Sequence, residues 1–152
     1  MTIKLTYGDI RIINNFLVQS LNPKKEKSIH RMRVVKALEE KQKQVADESN
    51  ELMKEFAKLD DEGEVVYLDD GQPAIKDKRA FNKAQVALLD EEFVLDDKNL
   101  QSALNTVKKL VNDYGKELVG DDAIAHFTLV EAFENAEEEE EDTKEEENDS
   151  DE

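Results

Sequence analysis

Between Val35 and Leu59 the apolar residues recur at a spacing that only a helix brings to one side. Leu38, Val45, Leu52 and Leu59 repeat every seven residues, and Val35 and Phe56 stand three residues before Leu38 and Leu59. This pattern predicts one long helix, capped at Asn22 or Ser28 and running to about Leu59, roughly 45–50 Å in length at the α-helical rise. The intermediate seam positions are the polar Gln42 and Ser49. So interrupted a coiled-coil seam does not specify a long homodimeric zipper. An antiparallel helix from the same chain is the expected partner.

Shorter elements surround this helix. Ile3 and Leu5 alternate with polar neighbours, as in a short strand. Thr6 and Asp9 have the spacing of a capping box, and Ile10, Ile13, Leu17 and Leu21, widened by Phe16, form the stripe of a helix ending near Ser20. Asn22-Pro23 stops it. In EVVYLDDGQPAIK, Val65 to Leu68 and Ala74 to Lys76 flank an Asp70-Gly71 turn, predicting a small β-hairpin whose Pro73 belongs to an edge or a strand start. Asp77 caps a third helix carrying Phe81, Ala84, Leu88 and Leu89. Phe93-Val94-Leu95 reads as extended. Asp96-Asp97 then opens a fourth helix with Leu100, Leu104, Val107, Leu110, Val111 and Tyr114 on its face, with Gly115 placed to end it. Gly120-Asp121-Asp122 begins a last helix whose expected inward stripe is Ile124, Phe127, Val130 and Phe133.

After Ala136 there is no apolar side chain, and residues 137–152 hold twelve acidic residues and one lysine. A run of like charge with nothing to bury is expected to be disordered. The expected organisation is therefore one mainly α domain (α+β) over residues 1–136, with about five helices and a small hairpin, and a disordered acidic tail over residues 137–152.

The net charge of −17 is unevenly distributed. Residues 1–44 carry ten Lys/Arg against four Asp/Glu, whereas residues 45–136 carry ten against twenty-two. A basic head is thus followed by an acidic second half and a still more acidic tail. The absence of cysteine excludes disulfides and thiolate chemistry. The longest apolar run, Val86 to Leu89, is far short of the roughly 20 residues of a membrane helix, and MTIKLTYGD offers no secretion signal. A cytosolic protein without a membrane partner is expected.

Catalytic and metal-binding motifs are sparse. His30 lies within a Lys/Arg cluster. His126 follows Asp122 by one helical turn, but the sequence places no third ligand beside them, so no metal is expected. Aligning Asp60-Asp61-Glu62-Gly63 with a calcium-binding loop puts Lys58 at its first ligand position and Asp69 at its last, which rejects it. Neither a phosphate-binding loop nor a dinucleotide fingerprint is present. No cofactor and no enzymatic activity are expected.

The sharpest surface feature is the basic cluster Lys24, Lys25, Lys27, Arg31 and Arg33, continued by Lys36, Lys41 and Lys43. Lys24, Lys27 and Arg31 share a helix face. Such a patch can hold phosphates, yet no aromatic residue lies between Phe16 and Phe56 to stack on a base. A protein contact is therefore expected ahead of nucleic acid, with Lys24, Lys25, Lys27, Arg31 and Arg33 as the partner-binding residues. The alternative is an acidic mimic of nucleic acid, inhibiting a host DNA- or RNA-binding defence enzyme. For that role Asp90, Glu91, Glu92, Asp96 and Asp97 are better candidates than a tail unable to fix its own carboxylates.

The segments MTIKLTYGDIRIINNFL, KALEEKQKQVADESNELMKEFAKLDDEG and ELVGDDAIAHFTLVEAFE together resemble a family of small proteins encoded by bacteriophages and prophages of Gram-positive bacteria, known as a conserved phage domain of unknown function. The resemblance spans about residues 2–135, with LDDEG and VGDDA its most specific parts. It implies a phage origin and expression in the host cytoplasm, and it carries over no assigned catalytic residue. A non-enzymatic accessory or virion-associated protein that binds a phage or host protein is the function it suggests; the oligomeric state is left open.

Overall fold

The computed structural model describes residues 1–150. In chain order they form β1 (Ile3–Thr6), α1 (Ile10–Gln19), α2 (Glu26–Phe56), α3 (Lys78–Leu89), β2 (Glu92–Leu95), α4 (Gln101–Asn112) and α5 (Gly120–Asp149). Short 3-10 turns lead into α1 and α4. The chain is thus mainly helical, with five α-helices among the described residues and one of them long.

The core forms where α1, the first half of α2, α4 and α5 meet. Ile10, Ile13, Phe16 and Leu17 of α1 are fully buried, as their periodicity requires, together with Val34, Val35 and Leu38 of α2 and Ala103, Leu104, Val107 and Val111 of α4. β1 and β2 close one side as an antiparallel pair in the register Ile3↔Leu95, Leu5↔Phe93. Their alternation sends Ile3, Leu5, Phe93 and Leu95 inward and leaves Lys4, Glu92 and Val94 outside. The Asp77 carboxylate accepts the Ala80 N–H at 3.0 Å and caps α3. The expected hairpin is present as isolated bridges: Tyr67 pairs with Pro73 across the Asp70-Gly71 turn, and the preceding segment joins through Leu59↔Val65 and Ala57↔Ile75. Gly71 has φ +83°, which the turn needs and glycine supplies without strain.

The seven-residue seam of α2 is used within the chain, against α1, α3 and α4. Val35 and Leu38 are buried and Val45 and Leu52 are half-buried, while Leu59 lies beyond the helix and is exposed. The second half of α2 extends past the core and is flanked by α3.

Two sequence expectations are corrected. The inward face of α5 is Ala125, Leu129, Ala132, Phe133 and Ala136, whereas Ile124 is exposed and Phe127 is 66% exposed. The buried stripe is built largely from alanines, whose small side chains let α1 approach closely, and a reading weighted by large apolar residues takes the wrong phase. The tail expected to be disordered from Glu137 is helical to Asp149; its last two residues, 151 and 152, lie outside the described residues. The cause is continuity. Helix nucleation is the unfavourable step, and residues beyond Ala136 extend a helix already anchored in the core. Glutamate is also a good helix former.

Ion pairs hold the first turns of this extension. The N-terminal ammonium meets Glu140 at 2.6 Å, Lys4 meets Glu139 at 2.7 Å, and Lys108 pairs with Glu137. A hydrogen bond from the N-terminal ammonium holds the Glu140 carboxyl below its usual 4.5, and the hydrogen bond to Glu139 holds the Lys4 amine above its usual 10.5. A lowered carboxylate contributes stability above its unfolded value and loses it as pH falls through the folded one; a raised amine contributes below its unfolded value and loses it as pH rises through the folded one. Removing residues 137–152 should therefore lower the thermal midpoint slightly near neutral pH. The three carboxylates are solvent-exposed, as is Lys4, so each pair adds little and the difference should shrink with salt. Thermal melts across pH should show it shrinking in acid, as Glu140 protonates, and again in strong alkali, as Lys4 loses its proton.

Core variants test the α5 phase. Leu104→Ala should cost roughly 2–5 kcal/mol in chemical denaturation. Phe127→Ala should fall within about 0.5 kcal/mol of wild type, as for exposed positions in general.

Candidate partner-binding surface

The basic head sits on the α1–α2 turn and the first three turns of α2. Lys24, Lys25, Lys27 and Arg33 are exposed, as is Lys36 one turn on. None of these five cations is paired with a carboxylate among the described residues. Lys25, the residue preceding α2, has φ 54°, a left-handed conformation rare outside glycine, and its carbonyl accepts the N–H groups of Ser28 and Ile29. The chain reverses direction there, which carries the lysines to the outer edge of the helix start.

Arg31 is placed differently from its neighbours. Its guanidinium turns inward, donating to the Leu21 carbonyl at the end of α1 and to Ser28 Oγ at 3.2 Å. Its Nε is buried without a partner among the described residues. Arg31 thus ties the turn after α1 to α2 and gives the Leu21 carbonyl a donor. Four of the five head residues singled out from sequence face solvent, and the fifth holds the turn that presents them.

The head also carries apolar surface. Ile29 is 56% exposed and Met32 43%, and with Arg33 and Lys36 they line a shallow groove along α2. The sequence signal for this was available but faint: two apolar residues out of phase with the inward stripe of Val35 and Leu38.

The acidic candidates Asp90, Glu91, Glu92, Asp96 and Asp97 are all exposed, but they open to different surroundings. Glu91 lines a groove of about 710 Å³ between α2 and α3, together with Asp47, Glu48, Glu51 and Glu55 over a floor of Leu52 and Leu88. Burial, with the Glu48 and Glu91 carboxylates nearby, pushes the Tyr7 phenol up. Glu92 instead lines a cleft between β1 and α5 with Lys4. The Asp96 and Asp97 backbone carbonyls accept weakly from Gln101 Nε2. Sequence reasoning missed the α2/α3 groove because its walls, residues 47–55 and 84–91, are far apart in the chain.

Both histidines serve packing. His126 Nε2 donates to the Val111 carbonyl at 2.9 Å, and its ring lies edge-on to Phe16. It does not share a site with Asp122, which accepts from Ser20 Oγ at 2.9 Å. His30 Nδ1 meets Thr106 Oγ1 at 2.6 Å and links α2 to α4. Among the described residues no three His, Cys, Asp or Glu side chains gather as a metal site would require, and no helix is long and apolar enough to cross a membrane.

Comparison with family models, curated proteins and solved structures found no match.

The two roles of the head separate by mutation. Arg31→Met should lower stability by roughly 1–3 kcal/mol in denaturant, because the Leu21 carbonyl loses its donor. Lys24→Gln, Lys27→Gln and Arg33→Gln should each leave stability near wild type, as expected for exposed side chains.

Proposed function

We propose that this chain is a bacteriophage-encoded accessory or virion-associated protein that works in the host cytoplasm, without catalysis, by binding a phage or host protein through its basic head. The observation that carries this reading is the set of exposed cations Lys24, Lys25, Lys27 and Arg33, none paired with a carboxylate among the described residues, around exposed Ile29 and Met32. In a chain of net charge −17 such a patch is not explained by solubility. Exposed apolar side chains with a charged rim are the usual make-up of a protein-contact surface. The non-catalytic part of the reading is supported by the engagement of both histidines in packing and hydrogen bonds between helices.

A second reading has one observation in its favour. Nucleic-acid mimicry needs carboxylates held at fixed spacing, and the continuation of α5 to Asp149 supplies a helical ridge of them. Under this reading the acidic half and the ridge would occupy the binding site of a host DNA- or RNA-binding enzyme.

Capture of partners from infected cells, followed by kinetics with the purified partner, separates the two. Neutralising Lys24, Lys25, Lys27 and Arg33 to glutamine should slow association by about tenfold or more and flatten its salt dependence, since surface charge mainly sets the on-rate. Arg31 is left intact for its structural role. Unchanged binding by that variant would remove the head from the account. Loss of binding on neutralising Asp90, Glu91, Glu92, Asp96 and Asp97, with DNA competing for the partner, would put the mimic in its place.

A further inference from the structure

The outermost face of α2 carries a charge sequence that is complementary to itself when reversed. At about 100° per residue, Ile29, Arg33, Lys36, Glu40, Lys43, Asp47, Glu51 and Lys54 fall within a sector of about 80°. All eight are exposed. The stripe lies opposite the buried Val34, Val35 and Leu38 and runs from the basic head to the edge of the acidic α2/α3 groove. We infer that this face is the interface of a two-fold homodimer in which α2 of one copy packs antiparallel on α2 of the second.

The register follows from the charges. With the two-fold axis between Glu40 and Lys43, Lys36 meets the second copy's Asp47 and Glu40 meets its Lys43, while Arg33 comes level with its Asn50 and reaches Glu51 one residue on. Symmetry doubles these three pairs to six, and at the axis Glu40 and Lys43 also lie beside their own copies. Arg33 is on the α3 side of the stripe. It comes to the mouth of the groove where Glu51 and Glu55 stand beside Glu91. Ile29, exposed in the single chain, comes over the aliphatic stem of Lys54, which supplies apolar burial at each end of the interface. A parallel arrangement would set Lys36 against Lys36 and Asp47 against Asp47, so the charge pattern also selects the direction. This inference rests on the reading of the basic head as a protein-binding surface and names a second copy of this chain as one of its partners.

Sedimentation equilibrium at low salt tests it. The wild type should sediment at twice the 17.4 kDa chain mass and revert toward one chain as salt rises. Two charge-reversed variants, Arg33→Glu with Lys36→Glu and Asp47→Lys with Glu51→Lys, should each weaken the dimer by at least about tenfold. Mixing the two variants in equal amounts should restore it, because each reversed head then meets a reversed acidic stretch. A wild type that remains a single chain up to about 1 mM, the millimolar limit of weak association, overturns the inference. So does a dimer that survives either reversal, or a mixture that stays monomeric. A monomeric wild type whose binding to a captured foreign partner still depends on the head would remove the dimer and leave the proposed function standing.

Discussion

The packing of one short stretch of α2, Val34 to Leu38, against α1 and α4 sets the rest of the molecule. This stretch contains all three fully buried residues of a helix 31 residues long. Fixing a helix by part of its length leaves the remainder as a rigid extension whose position is determined but whose surface is free. Toward the N-terminus that surface is the basic head, held to α1 by Arg31; toward the C-terminus it is the acidic wall shared with α3. The charge segregation evident in composition thereby becomes two places on one rod.

The same logic applies to α5. Its first half packs on α1 through Ala125, Leu129, Ala132 and Phe133, and its second half continues as an acidic ridge with no buried residue beyond Ala136. Ion pairs from the N-terminus, Lys4 and Lys108 reach only as far as Glu140 among the described residues. Both long helices are therefore anchored in one core and present unlike charge away from it. Exposed ion pairs contribute little to stability, so the core carries the fold and the surface charge is free to serve recognition.

The parts of this architecture that were legible in the sequence are those where large apolar residues and local caps agree. The α1 stripe of Ile10, Ile13, Phe16 and Leu17, the α4 stripe of Leu104, Val107 and Val111, and the Asp77 cap are found where their spacing puts them. The α5 phase was not legible, because alanines carry little hydrophobic signal yet allow the closest helix approach. The helical tail was missed for a related reason. Composition describes a segment by itself, whereas Glu137 onward inherits its conformation from an anchored helix. The β1–β2 register and the α2/α3 groove depend on contacts between distant parts of the chain. Of the candidate site, the cations were visible as a cluster. That Arg31 turns inward while its neighbours face solvent depends on where α1 ends.

The claim on which this account depends is that α2 is anchored by its first half alone. Native-state amide hydrogen exchange, measured residue by residue in dilute protein at high salt, tests it directly. The account predicts that the amides of Val34 to Leu38 exchange only through global unfolding, together with those of Val107 and Val111. Amides from Asp47 to Glu55 should exchange through a local opening of lower free energy, because α3 and the turn at Tyr7 cover them and the core does not. Equal, maximal protection along the whole of α2, or stronger protection at Asp47 to Glu55 than at Val34 to Leu38, would contradict it.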